Sequence, residues 1–528
     1  MKLKSISIQN FRGYKDEVKL DFSAITAIIG KNDIGKSTIM EALDIFFHDG
    51  KGLIKLDKAD INVENARNGN LDVCIGATFV DLPSAIVIDG TNETSLEEEF
   101  LLNASNELEV IKTFKNGDTK VSSIKVCLKA NHPTNPHCSS LLQKKNDGLK
   151  KIVEDLDLHC NKSINAEMRK AIWDHYSENL QCGEILIDVS SKDGDIKSIW
   201  EKLQEYLPEF SLFQSDRKNS DGDDEVQDPL KEAVKQILKD ENIQRSLSEV
   251  AQKVQEKVQQ VADLTLEKLR EMSPEISNSL HPNIPSVASL KWADVFKGLS
   301  ISGDGDIAIN KRGSGVKRLI LLNFFRAEAE RRMSESQRTD ILYAIEEPET
   351  SQHKDHQIML IDALKRLSAN SHTQVIITTH SSDIVKNMDS QNIRLIGRNE
   401  EGKPIVKEYE PYCLPYASLN EANCRAFDDY SAEFHNELYG FLQEKAASVD
   451  DHCWFANVFE SWLESKGCEK IKTWIKVDRR GRTTFDCTLQ TYVRNLIHHP
   501  ENTLNADYTR EELKASICKM MEIAKTLS

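Results

Sequence analysis

Gly30-Lys31-Asn32-Asp33-Ile34-Gly35-Lys36-Ser37-Thr38 is the stretch that decides the fold. The apolar run Ile25-Thr26-Ala27-Ile28-Ile29 precedes it and reads as a buried strand. Residues 39–47 follow with helical spacing. Strand, glycine-rich loop and helix form the setting in which the pattern G-x-x-x-x-G-K-[ST] binds phosphate. The glycines let backbone N–H groups turn inward, and the new helix aims its positive end at the same anion. Lys36 is placed for the β- and γ-phosphates and Ser37 for a magnesium ion. A chance glycine-rich turn would lack the strand on one side and the helix on the other.

The chain has 528 residues, enough for two or more domains. Residues 1–8 alternate like a strand and lack the apolar segment of a secretory leader. No apolar run approaches the ~20 residues of a membrane span. A soluble, cytoplasmic protein with no membrane partner is expected. Eleven cysteines occur with no C-x-x-C pair, which argues for free thiols and against a zinc hook or redox motif. The net charge of −17, with 29% charged residues, excludes a general nucleic-acid coat. Contact with DNA or RNA would need a local basic patch or a partner.

Residues 1–130 read as strands around the loop, with further strands over 71–80 and 108–114 and a turn at Asn116-Gly117-Asp118 leading into 120–128. From 131 to about 285 the pattern is mostly helical, so 131–295 reads as a helical insertion. Within it, residues 214–225 form an acidic, polar stretch, a solvated loop or else a metal-binding one. A long helix follows to about Met272, with Val250, Val254, Val258 and Val261 among its apolar positions.

Strand character returns at 299–301 and 306–309. Gly313-Ser314-Gly315 then opens a helix running to about Arg332, either a second anion-binding geometry or a simple helix cap. Ile341-Leu342-Tyr343-Ala344-Ile345 delivers Glu346 and Glu347 to the edge of a sheet, a Walker B arrangement. There Glu346 would hold magnesium and Glu347 would orient and deprotonate the attacking water. The next strand, over 374–379, ends in His380, placed as a γ-phosphate sensor unless it is simply structural.

In this order the motifs resemble ATP-binding-cassette ATPases of the SMC/RecF/OLD group. The residues that carry the resemblance are Asn10-Phe11-Arg12-Gly13, Gly30-Lys31-Asn32, Gly313-Ser314-Gly315 as a signature, Glu346-Glu347-Pro348-Glu349, and Thr379-His380-Ser381 as a switch. It covers residues 1 to about 400 and implies an α/β fold. That fold would be a P-loop ATPase head, a mixed central sheet flanked by helices, with a helical insertion and an all-α C-terminal domain. The implied division is 1–130, 131–295, 296–412 and 413–528. The implied cofactors are ATP and Mg2+. Gly30, Lys31, Asn32, Gly35, Lys36, Ser37 and Thr38 would bind ATP, Ser37 and Glu346 the metal, and Glu347 and His380 would be catalytic. The group pairs its heads, which implies a homodimer, or a higher oligomer built from it, in which Gly313, Ser314 and Gly315 of one head reach the ATP held by the other. Glu346 stands where many such ATPases have aspartate, a change the OLD-like branch tolerates.

OLD nucleases add a Toprim domain, but after residue 400 no strand-borne glutamate is followed by an Asp-x-Asp pair. The runs 311–332 and 346–353 and the C-terminal tail are instead similar to ATPase subunits of Septu- and retron-type antiviral systems. That likeness implies a role in anti-phage defence beside a separate nuclease, in such systems often of HNH type. A RecF- or SMC-like DNA-repair clamp is a further reading, set back by the lack of a long coiled coil. In the C-terminal quarter four helices are expected, over 419–447, 453–466, 483–499 and 509–527. Arg494-Asn495 with His498-His499 resembles the HEPN ribonuclease motif, which would make Arg494 the phosphorane stabiliser and His499 the acid or base. Helical spacing puts His498 rather than His499 on the face of Arg494 unless the helix unwinds before Pro500. The bland alternative is capping and pairing within a bundle that serves as a docking module.

Overall fold

The structure is a computed structural model. It describes residues 1–31, 33–89, 92–190, 196–214, 243–253, 256, 302–303, 307–308, 340–350, 354–399, 401–409, 412–478 and 481–527. Two compact units divide the chain, one made of Met1–Ser215 with Phe325–Ser528, the other of Asp216–Phe324. In the second unit the described residues are helical at 243–253 and form a short antiparallel pair, Ser302–Gly303 with Ile307–Ala308. Asn32, Gly313, Ser314, Gly315, the helix expected to Arg332 and all but Gln214 of the acidic stretch lie outside the described residues.

The first unit holds two six-stranded sheets. One contains β1 (Lys2–Gln9), β2 (Val18–Asp21), β4 (Val73–Val80), β7 (Leu108–Phe114), β8 (Ile124–Pro133) and β9 (Cys182–Asp188). It is antiparallel throughout, in the order β2-β1-β4-β7-β8-β9. Its strand Leu108–Phe114 alternates between buried and half-buried residues, the signature of a sheet with one face in the core. A small antiparallel pair, β5 (Ile86–Asp89) and β6 (Asn92–Thr94), stands apart from it.

The other sheet contains β3 (Ile25–Ile29), β10 (Glu209–Phe213), β13 (Ile341–Glu346), β14 (Thr373–Thr379), β15 (Ile393–Arg398) and β16 (Pro404–Glu408), with β11 and β12 being the short pair of the second unit. Its order is β10-β13-β14-β3-β15-β16; the first five strands are parallel and β16 is antiparallel. Every residue of β3 and β14 is buried, as near-continuous apolar runs covered on both faces require.

Helix α1 (Lys36–His48) lies between the two sheets. Phe46 meets Phe79 of β4 at 6.2 Å between ring centroids, and Phe47 stacks on Phe210 of β10 at 5.1 Å. A buried glutamine ties the layers together. Gln374 of β14 accepts from Leu3 N at 3.0 Å and donates to Leu3 O at 2.8 Å and to Ser23 O at 3.0 Å.

The expected run of helix after residue 131 is corrected by two strands. β8 continues to Pro133, β9 extends the antiparallel sheet beside it, and β10 pairs with β13 from Glu209↔Ile341 to Phe213↔Ile345. The physical reason is pairing: each strand satisfies an open sheet edge, and β10 buries Phe210 and Leu212 against the core. The expected helices in this stretch are α3 (Asn146–Asp155), α4 (Asn165–His175) and α5 (Ile196–Tyr206), α2 being the short Val63–Arg67. On the far side of β13, α6 (Lys354–Ser368) and α7 (Ser382–Lys386) flank β14.

The C-terminal part is mainly helical, with α8 (Leu419–Phe427), α9 (Ala432–Val449), α10 (Ala456–Ser465), α11 (Leu489–His498) and α12 (Arg510–Leu527) around Phe434, Leu438, Leu442, Phe459, Leu463 and Ile517. It is not all helix. β17 (Lys472–Asp478) and β18 (Gly481–Cys487) form an antiparallel hairpin where the third expected helix would have begun. Pairing from Lys472↔Cys487 to Asp478↔Gly481 fixes that segment as strand. Among the described residues no helix is long and apolar enough to cross a membrane.

Candidate functional site

β3, β13 and β14 are adjacent and parallel, so their C-terminal ends open on one edge. Ligands of open parallel sheets bind in the crevice outside those ends. The chain leaves β3 as the glycine-rich loop, β13 as Glu346-Glu347, and β14 as Thr379-His380.

Lys36 is the first residue of α1 and is only 5% exposed. Its Nζ donates to the carbonyls of Gly30 (3.0 Å) and Lys31 (2.9 Å), which folds the loop around the ammonium. Among the described residues no carboxylate lies within ion-pair distance of it. Burial drives its pKa down to about 8, against an upward pull from Glu347, Asp33 and Glu349. Gly35, the residue before the helix, has φ 110°, a backbone conformation that suits glycine. A Cβ there would also meet the Tyr14 hydroxyl at 2.9 Å. Tyr14 is itself buried and donates to Gly35 O at 3.0 Å, so the turn after β1 braces the loop.

That turn is pinned in its own right. Asn10 and Arg12 take φ 58° and 48°, Arg12 Nε meets Asp60 Oδ1 at 2.8 Å, and its Nη1 pairs with Glu41 on α1. At the start of α1, among the described residues, no side chain caps the free N–H groups, and no acidic residue sits in the first turn. A buried ammonium beside an uncapped helix start is a donor set that fits a polyphosphate.

Glu347 adopts φ 39°, a sparsely populated conformation for a side chain of this size. Its N–H is shared by Thr378 O (3.1 Å) and Thr378 Oγ1 (3.2 Å), and its carbonyl accepts from Thr350 N and Oγ1. The turn is thus fastened to β14 and presents the carboxylate toward His380. His380 Nε2 lies 2.9 Å from Glu347 Oε1, at ion-pair distance without hydrogen-bond alignment. Burial and the Lys36 charge lower the imidazole pKa, and Glu347 and Glu349 oppose them. Glu349 is 7% exposed, and its Oε1 accepts from Thr379 Oγ1 (2.7 Å) and His380 N (2.8 Å). Ser381 caps α7 through its hydroxyl, which also contacts Gln357 Oε1 at 2.5 Å.

Of the residues singled out from sequence, Lys36, Glu347 and His380 are therefore mutually close, linked by contact or by charge. Gly30, Lys31, Gly35, Ser37 and Thr38 belong to the loop and first turn beside them, and Glu346 ends β13 at the same edge. Lys31 points elsewhere: its Nζ pairs with Asp429, between α8 and α9, at 3.1 Å. Arg494 and His499 lie far along the chain on α11 and just past it. Arg494 Nη1 contacts Asn495 Oδ1 at 3.2 Å, and its guanidinium lies 5.9 Å from the centre of the Tyr439 ring. His499 has left the helix, with φ −128°, and its Nδ1 lies 3.3 Å from Glu501 Oε1. Tyr14 and Thr378 carry the site's scaffolding and were not marked by any motif, although Tyr14 directly follows Asn10-Phe11-Arg12-Gly13.

Solved structures similar to this chain include the SMC head bound to the C-winged helix domain of ScpA, at 13% identity and a TM-score of 0.36, covering 80% of this chain and 99% of that one. An SMC head domain from Thermotoga maritima gives 13% and 0.31, covering 78% and 100%. An SMC head domain with an extended coiled coil bound to the C-terminal domain of ScpA, derived from Pyrococcus furiosus, gives 13% and 0.37, covering 80% and 97%. These superpositions are too loose to transfer any residue of those heads to this chain. No curated protein matches the sequence significantly. The family model described as AAA ATPase domain matches residues 1–385, well over half of the chain and the whole of the site just described, and the chain belongs to that family of ATPases.

Proposed function

We propose that this ATPase is an ATP-switched regulator that pairs head to head and controls a separate nuclease in bacterial antiviral defence. The observation that carries the switch is the convergence of Lys36, Glu347 and His380 at one sheet edge. The Lys31–Asp429 pair supports the regulatory half, because it links the phosphate loop directly to the C-terminal helices. A change at the loop would be felt there.

In the hydrolytic step the loop amides, Lys36 and the start of α1 would hold the β- and γ-phosphates. Ser37 and Glu346 would hold magnesium, which supplies charge neutralisation on the phosphate oxygens when bound. Magnesium is commonly held by one or two protein oxygens plus phosphates, and this donor set suits it. The Glu347 carboxylate would accept a hydrogen bond from the attacking water and take its proton as the bond to phosphorus forms. When neutral, His380 has one N–H, which it would direct either to Glu347 or to the γ-phosphate. Loss of that phosphate would release the His380 side and loosen the paired heads.

A second reading, an ATP-gated HEPN ribonuclease in the same chain, is favoured by one observation. The α11 helix ends at His498, so His499 is freed from helical spacing and half exposed beside Pro500. RNA cleavage by the purified protein with ATP and magnesium, beside Arg494→Ala and His499→Ala, separates the two. ATP turnover without cleavage, and a nuclease that co-purifies with the chain, supports the regulator. Cleavage lost in both variants makes the tail the effector instead.

A further inference from the structure

We propose that Glu349 is a positioning residue for hydrolysis: its buried carboxylate reaches from the turn after β13 to the end of β14 and holds His380 against Glu347. The inference rests on the hydrolytic reading above. One oxygen, Oε1, collects both the Thr379 hydroxyl and the His380 amide. Thr379 Oγ1 in turn accepts from Ser381 N at 3.0 Å, so three successive residues of the switch segment hang from this one side chain. The anchoring is tight where it matters. The backbone of His380 is fixed by Glu349, and its ring is set 2.9 Å from Glu347.

A merely structural clamp between two strand ends could be neutral, since a serine, threonine or asparagine accepts the same bonds. A carboxylate that is 7% exposed is expensive, and it is a third acid beside Glu346 and Glu347. Among the described residues its other oxygen, Oε2, accepts no hydrogen bond although it is buried. An unsatisfied buried oxygen of this kind calls for an explanation. Its negative charge is felt at both Lys36 and His380, which ties it to the reacting centre rather than to the sheet alone.

The test uses the full chain and compares ATP turnover with nucleotide affinity in Glu349→Ala, Glu349→Gln, His380→Ala and the double variant Glu349→Ala/His380→Ala. Misplacing a reacting group by an ångström costs about 100-fold, so Glu349→Ala should lower kcat by about 10- to 100-fold with ATP affinity unchanged within about twofold. Glu349→Gln keeps an acceptor oxygen but loses the charge felt at Lys36 and His380, so it should recover only part of the rate lost in Glu349→Ala. The double variant should be no slower than His380→Ala alone, because Glu349 acts through that residue. Thr379→Val removes one donor without touching Glu349 and should give a smaller loss of kcat, again absent in the His380→Ala background. Full turnover in Glu349→Ala, a loss confined to affinity, or losses that multiply in the double variant would overturn the assignment. If Glu349→Ala does not fold, the Thr379→Val pair decides, and an undiminished rate there overturns it. A wild type with no ATP turnover would overturn the hydrolytic reading, and this inference with it.

Discussion

Lys36 and Glu347 do different jobs, and single substitutions should separate them. The Lys36 ammonium sits among backbone carbonyls and, among the described residues, has no carboxylate partner, so it is held ready for an external anion. Lys36→Ala removes the charge and should abolish measurable ATP binding in a calorimetric titration. Glu347→Gln keeps the turn and its size but cannot take a proton. ATP binding should survive while turnover falls by about 100-fold or more, the usual worth of a positioned base; unchanged turnover would remove Glu347 from that role. Both residues were legible in the sequence because their chemistry admits few residue types at fixed spacing after an apolar strand. Tyr14 and Thr378 were not. Their contributions, a hydroxyl on Gly35 O and a shared acceptor for Glu347 N, depend on strands far apart in the chain coming together.

At the scale of elements, the buried strands β3, β13 and β14 were readable as apolar runs, whereas edge strands were not. β18 exposes nearly every residue, so no hydrophobic alternation marks it, and its pairing with β17 alone makes it a strand. β10 has five residues shortly after α5 and gains its identity from β13. The junction between the parallel sheet and the C-terminal helices is equally invisible in sequence. It is made by Phe427, at the end of α8, lying on Gly397 of β15, where a Cβ would stand 1.7 Å from the ring. Gly397→Ala should therefore displace α8 and lower stability by about 1–3 kcal/mol, read as a fall in the denaturant midpoint. Within the helices, His435 of α9 is fully buried and bonded to Ser516 of α12 at 2.8 Å. Burial, with the charge of His498, lowers its pKa to about 3. The unfolded chain binds a proton near pH 6.5 and the folded one does not until about pH 3. Its contribution is thus complete above 6.5 and is lost as the pH falls toward 3. Melting temperature should drop between pH 7.5 and 5 in the wild type and drop less in His435→Gln, at the cost of a weaker bond to Ser516 at pH 7.5.

For the whole molecule the dominant quantity is charge. Each copy carries −17, so two copies brought head to head repel one another at long range. The proposed pairing would then be driven by short-range contacts that bound ATP completes, and the repulsion it would overcome is the part that salt screens. The Debye length falls from about 14 Å at 0.05 M to about 6 Å at 0.3 M salt. Glu347→Gln with ATP and magnesium should therefore run as a dimer by light scattering, and its dissociation constant should tighten as salt rises across that range. Wild type should be dimeric only while ATP lasts, and Lys36→Ala should stay monomeric throughout. A dimer that forms without nucleotide, or one that salt weakens, would mean that complementary charges rather than ATP hold the heads together. The control of the C-terminal helices through Lys31 and Asp429 would then have no assembly switch to follow.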